Sequence, residues 1–160
     1  MRFQPLWIML FAGSFVGWGL SAWAGQDEEA VQRAVTQAVA GTATFSESRD
    51  KQAVLMLYTD DYVGSQDGQA ETKAAIEQWL SDYEAELKQG NRLRFIGAVS
   101  NLKTGLEGAT AWAIYEYVFQ AIRDGEIEGQ DAGACTSLLR KEQSTWRIFH
   151  DHCSKSKTTK

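Results

Sequence analysis

The hydrophobic period of the chain changes at Gly90-Asn91. Before that point apolar residues recur at steps of three and four, the helical period; after it they alternate or run together, as in strands. Ile76, Trp79, Leu80, Tyr83 and Leu87 form the clearest stripe and predict a helix over 71–88. Gly90-Asn91 ends it in the manner of a left-handed C-terminal cap. Val31, Val35, Ala38, Thr42 and Phe45 predict another over 27–44, with Asp27, Glu28 and Glu29 where the helix dipole favours negative charge. A short helix over 50–58 buries Val54, Leu55, Leu57 and Tyr58, and Asp67-Gly68 signals a small hairpin tip.

Beyond Gly90 four strands are expected, over 92–102, 109–122, 132–141 and 145–153. Thr104 to Gly108, Asp124-Gly125 and Glu142 to Ser144 are the connections. The run from Ala109 to Ile122 is long and rich in aromatics, which suits a central strand. Helices grouped before strands make an α+β fold, with three N-terminal helices packed on a curved antiparallel sheet of four strands.

Residues 1–24 read as a leader. Arg2 precedes an apolar run from Leu6 to Leu20, and Ala22-Trp23-Ala24 is a small-x-small cleavage site before the polar Gly25-Gln26-Asp27. The expectation is a periplasmic or secreted protein with one domain over 25–154, a loose basic tail over 155–160, and no membrane association after cleavage. The full chain carries a formal net charge of −5, and loss of Arg2 makes it −6. That charge gives no electrostatic footprint for nucleic acid.

The stretch Thr145 to Cys153 holds both histidines of the chain, one of its two cysteines and a tryptophan. Strict alternation puts Trp146, Ile148, His150 and His152 on one face and Arg147, Phe149, Asp151 and Cys153 on the other. Arg147 marks its face as the outer one, so His150 and His152 are expected to point inward and bind a ligand. Histidines satisfied by backbone or water are the competing account. Acid–base work needs groups titrating near the operating pH in a water-poor pocket, which His150, His152 and the Asp60-Asp61 pair could supply. Asp61 is the aspartate retained as a candidate, although loop or cap roles explain such pairs as well. Tyr58, Tyr62, Tyr115 and Tyr117 could donate to a developing oxyanion. Trp79, Trp112 and Tyr115 could line an apolar pocket, and core packing accounts for the same residues. His150-x-His152 offers two metal ligands with no third marked by spacing, so neither metal nor cofactor is expected.

Export favours a disulfide between Cys135 and Cys153, with two buried free thiols as the alternative. A three-residue loop, Gln143-Ser144-Thr145, would set Glu142 opposite Trp146 and Cys135 opposite Cys153. A two-residue loop would instead set Cys135 opposite His152, on the wrong face. The disulfide is thus also an expectation about register.

The closing run, Thr136-Ser137-Leu138-Leu139-Arg140-Lys141 and then Trp146-Arg147-Ile148-Phe149-His150-Asp151-His152-Cys153-Ser154, resembles the NTF2-like superfamily, with SnoaL-like and DUF4440-type proteins nearest. Arg49-Asp50, Leu57-Tyr58-x-Asp60-Asp61-x-Val63, Asp67-Gly68 and Ile76 extend the likeness over roughly residues 27–154. The chain departs from many relatives at Glu71-Thr72-Lys73, where they carry glycine, and at Cys153, where they carry a small or aliphatic residue. The resemblance implies a cystatin-like cone around a pocket and a homodimer formed through the sheet. It implies no single activity, because such folds include isomerases, cyclases, dehydratases and non-catalytic modules. Two readings follow. One is a protein that binds or acts on a small apolar molecule; the other is a non-catalytic dimeric interaction module for a protein partner.

Overall fold

The computed structural model describes residues 19–156, with side chains from Gly25 onward except that of Thr42. The expected leader falls mostly outside the described residues, as does the end of the tail. Helix α1 (Gly19–Ser48) is longer than its stripe of Val31, Val35 and Ala38 required. Helix α2 (Lys51–Leu55) is capped by Asp50, whose carboxylate accepts from the Ala53 amide. Helix α3 (Lys73–Lys88) is capped by Thr72 and stops before Gly90, which has a φ of 90°. That angle costs glycine nothing and other residues much.

The sheet has six strands, in the order β2-β1-β6-β5-β4-β3. These are β1 (Tyr58–Gln66), β2 (Gln69–Thr72), β3 (Arg94–Glu107), β4 (Thr110–Arg123), β5 (Glu126–Glu142) and β6 (Thr145–Lys155). The expected four strands are therefore corrected to six. The hairpin β1–β2 turns at Asp67-Gly68, both with positive φ, and joins the sheet by a parallel pairing of β1 with β6. Two features hid β1. The expected short helix claimed Tyr58, and the exposed Asp60 and Asp61 sit at an irregularity that interrupts the alternation. Thr104 to Glu107, expected as loop, continues β3.

Helix α1 lies across β3, where Gly97 meets it: a Cβ there would collide with the Val39 carbonyl. One core cluster joins Val31, Val35 and Ala38 of α1 to Tyr115, Leu139, Trp146 and Ile148 of the sheet. A second holds Phe45, Val54, Leu55, Leu80 and Tyr83 between the helices. Lys141 and the Trp146 indole both donate to Asp27, at 2.6 and 3.0 Å, tying α1 to the sheet just before its buried stripe.

The turn after β5 settles the register. Glu142 pairs with Thr145, so the loop is the two residues Gln143-Ser144, not three. Leu139 then faces Ile148, but Leu138 faces His150. Phe149 is an extra residue, a β-bulge, and the ladder beyond it is shifted by one. Cys135 comes opposite Cys153 and the two form a disulfide. The expected pairing holds, by a different route: the bulge makes up the residue that the shorter turn lacks.

Candidate functional site

The bulge also reverses the faces of β6 beyond Phe149. Trp146 and Ile148 are buried inward, as their parity required. After Phe149 it is Asp151 and Cys153 that line the cavity between sheet and helices. The inward orientation expected for His150 and His152 is thus corrected. They pair with Leu138 and Thr136 on the outer face, where the His150 Nδ1 lies 2.7 Å from the Val63 carbonyl. His152 is exposed and reaches only Ser154, at 3.5 Å.

The cavity has a volume of about 340 Å³. Tyr58, Trp79 and Tyr115, three of the expected ligand-binding residues, line it. Asp61 and Trp112 do not. Asp61 is held on the surface by Arg140, whose Nη2 lies 2.7 Å from Oδ1, and this partner lowers its carboxyl to about 2. Asp60 pairs with Lys73 at 2.7 Å in the same way. Trp112 packs over Gly105 on the outer face and is 42% exposed. Alternation within β4 sends it away from Tyr115, three residues on.

Much of the cavity wall is aromatic. Trp79 of α3 lies 5.6 Å from Phe95, which stacks on Phe119 at 5.1 Å. Three carboxylates that the sequence reading missed line the cavity: Asp131 is held by Lys155 at 3.0 Å, and Glu71 and Asp151 stand against this apolar wall. Glu71 and Asp151 occupy one cross-strand row. Gly64 of β1 pairs with Glu71 of β2 on one side and with Asp151 of β6 on the other. Tyr62, two residues before Gly64 and only 2% exposed, shares its face and folds over it. A Cβ at residue 64 would collide with both the Tyr62 hydroxyl and the Asp151 carboxylate, so only glycine leaves room for their contact.

The Tyr62 hydroxyl lies 2.8 Å from Asp151 Oδ1 and 3.3 Å from Glu71 Oε2. A phenol has one proton to donate. Two ionised carboxylates therefore cannot both be satisfied by it. With Glu71 protonated the chain closes: Glu71 donates to Tyr62, and Tyr62 donates to Asp151. Burial first, and then the Asp151 charge, raise the Glu71 carboxyl above its ordinary value, opposed by the Tyr62 hydrogen bond. Burial also raises Asp151, opposed by the Tyr62 hydrogen bond and by His150 and His152 across the sheet. Burial and then Asp151 raise the Tyr62 phenol well above its normal value, so it stays a donor. Tyr115, hydrogen-bonded to Ser137 at 3.2 Å, is pushed up to about 12, chiefly by burial. Gly64, two residues after Tyr62, was the sequence signal for this row, since a glycine inside a strand marks a close approach. Among the described residues no group of three or more His, Cys, Asp or Glu is placed to hold a metal.

A model of the SnoaL-like domain matches residues 35–156. The chain belongs to the SnoaL-like family, within the NTF2-like superfamily. Solved structures agree on the fold of this SnoaL-like chain. An NTF2-like protein with a cystatin-like fold from Novosphingobium aromaticivorans aligns with a TM-score of 0.66 at 17% identity, covering 91% of this chain and 94% of that one. A protein provisionally assigned as a scytalone dehydratase, from the same organism, aligns at 0.66 and 11% identity, covering 85% and 88%. Another, provisionally assigned as an aromatic ring hydroxylase, aligns at 0.62 and 19%, covering 81% and 89%. No curated protein sequence matches the chain.

Proposed function

We propose that this SnoaL-like protein binds a small, largely apolar molecule in its cavity and moves a proton on it. One observation carries the reading: two half-buried carboxylates share a single tyrosine hydroxyl at the edge of an aromatic wall. Nothing in the packing of the core calls for that arrangement, and burial makes it costly. Asp151, ionised, is the base that takes a proton from a C–H or O–H of the ligand. Glu71, neutral, is the acid that returns one, and Tyr62 links them so that the pair is reset without bulk water. The aromatic wall excludes water and holds a flat substrate face-on. The names of the dehydratase-like and hydroxylase-like neighbours are compatible with ring-bearing substrates.

Proton exchange tests this directly. In D₂O the protein should accelerate exchange of the acidic α-hydrogens of 2-tetralone over buffer, and Asp151→Asn should reduce that rate by roughly 10²-fold or more, the usual range for a general base. No acceleration over buffer by folded protein would reject proton transfer in the cavity. The reading also includes a cleaved leader and export to the periplasm or beyond, supported by the apolar run from Leu6 to Leu20 with the Ala22-Trp23-Ala24 site and by the Cys135–Cys153 disulfide. Intact mass of the exported protein should begin at Gly25, and a mass that includes residues 1–24 would reject the cleavage.

The non-catalytic reading draws on the outer face of the sheet. Ile96, Trp112 and Ile114 stand there 50%, 42% and 49% exposed, with Val118 beside them. Such exposed apolar residues, with Glu116 between Ile114 and Val118, favour a covering partner, and a second copy of this chain suits them, since a two-fold axis sets the same face against itself.

A further inference from the structure

The inward rows of the sheet continue past the carboxylates. Asp151 and Ser137 make the first row; Cys153, Cys135 and Tyr115 the next; Lys155, Gly133 and Tyr117 the third. The disulfide thus floors the middle of the cavity, and Tyr117 stands at the far end. The device seen at Gly64 recurs there. A Cβ at residue 133 would collide first with the Ser154 carbonyl of β6 and would also press against the Tyr117 ring, so the missing side chain leaves room for both. Tyr117 is 7% exposed, yet its hydroxyl has no hydrogen-bond partner among the described residues. Thr59 Oγ1 and Arg147 Nε share that condition, but of the three residues only Tyr117 lines the cavity. The charged groups nearest to it are engaged with one another. Lys155 binds Asp131 at 3.0 Å and also faces Asp67. A buried hydroxyl without a partner is costly unless something supplies one.

We propose that Tyr117 is the second polar anchor of the cavity, donating its hydroxyl to an oxygen of the ligand at the end remote from Asp151. This rests on the cavity reading given above and narrows the ligand class. The ligand is a flat apolar ring system with a proton-bearing group at one end, for the carboxylates, and a hydrogen-bond acceptor such as a carbonyl at the other. The two anchors are two inward rows apart, about 13 Å of strand at roughly 3.3 Å per residue. A bicyclic ring with a substituent at each end has about that span. The apolar middle, between the disulfide and the aromatic wall, selects against polar groups on the rings.

Three probes separate the terms: 2-methylnaphthalene, 2-naphthol and 6-hydroxy-2-acetylnaphthalene, each titrated by fluorescence or calorimetry. Wild type should bind the last about five- to tenfold tighter than 2-naphthol, the worth of one added buried hydrogen bond. Tyr117→Phe should abolish that gain and leave 2-naphthol binding unchanged. Its melting temperature should equal or exceed that of wild type, because the removed hydroxyl had no partner in the free protein. Asp151→Asn should weaken both hydroxylated probes and leave 2-methylnaphthalene unaffected. If Tyr117→Phe keeps the preference for the acetyl compound, or melts several degrees lower, the anchor is refuted while the cavity reading stands. If none of the three probes binds wild type, the cavity reading falls, and the anchor with it.

Discussion

Gly64 decides the site at the scale of single residues. Its missing side chain lets Tyr62 reach Asp151 and Glu71, and the row it centres brings those carboxylates together. Glu71 provides the test of the shared proton. Its carboxyl is raised in the folded protein, by burial first and by Asp151 second. The folded state therefore holds this proton to higher pH than the unfolded chain does. The stability it contributes is fully present below the ordinary carboxylate range and is lost as pH rises through the raised folded value. Glu71→Gln stays neutral throughout. It should melt with wild type in acid, below the ordinary carboxylate range, and above wild type once the pH has risen through the raised folded value. Thermal melts across that range check it; a gap that opens in the acid direction would mean the carboxyl is stabilised as the anion. Asp61 has the opposite sign. Arg140 lowers it to about 2, so its small surface contribution is present above the ordinary carboxylate range and disappears only as pH falls through that value.

Phe149 is decisive at the scale of elements. The bulge carries the shift that the two-residue turn leaves undone, and it sends Asp151 inward and the histidines outward. It follows that the rest of β6 does not need Phe149 for its pairing. Deleting Phe149 leaves Ile148 opposite Leu139 and His150 opposite Leu138, with a continuous ladder through both. The deletion variant should retain the Cys135–Cys153 bridge, read as no free thiols in denaturant without reductant. Losing the Phe149 ring, which lies under the Arg140 guanidinium at 5.6 Å, should cost about 1 kcal/mol. Two free thiols per chain would place the register shift elsewhere in the strand.

For the whole molecule, the sheet divides two kinds of apolar surface. Its concave side is covered by α1 and α3 and encloses the cavity; its outer side leaves Ile96, Trp112 and Ile114 in water. Burying a Leu-sized side chain is worth about 1.5–3 kcal/mol, so leaving several exposed favours association. Ile114→Asp puts a charge on that face. Wild type should sediment as a dimer and Ile114→Asp as a monomer with its helical and strand content intact. A wild type that sediments as a monomer at tens of micromolar would reject the dimer.

Local chemistry determined much of this fold before any tertiary contact was considered. The helical stripe of Ile76 to Leu87, the stop at Gly90, the turn at Asp124-Gly125 and the aromatic strand through Tyr115 were all legible, because each depends on a residue's own preference or on period. The α+β class and the family resemblance followed from their order. The pairing of Cys135 with Cys153 was legible too, though through the wrong loop length. Tertiary structure decided β1, whose partner β6 lies more than eighty residues away, and it decided which face of β6 looks inward. A bulge is set by how a strand fits its neighbours, and it has no signature in the period of its own residues. One extra residue at Phe149 therefore exchanged His150 and His152 for Asp151 and Cys153, and moved the candidate chemistry from imidazoles to carboxylates.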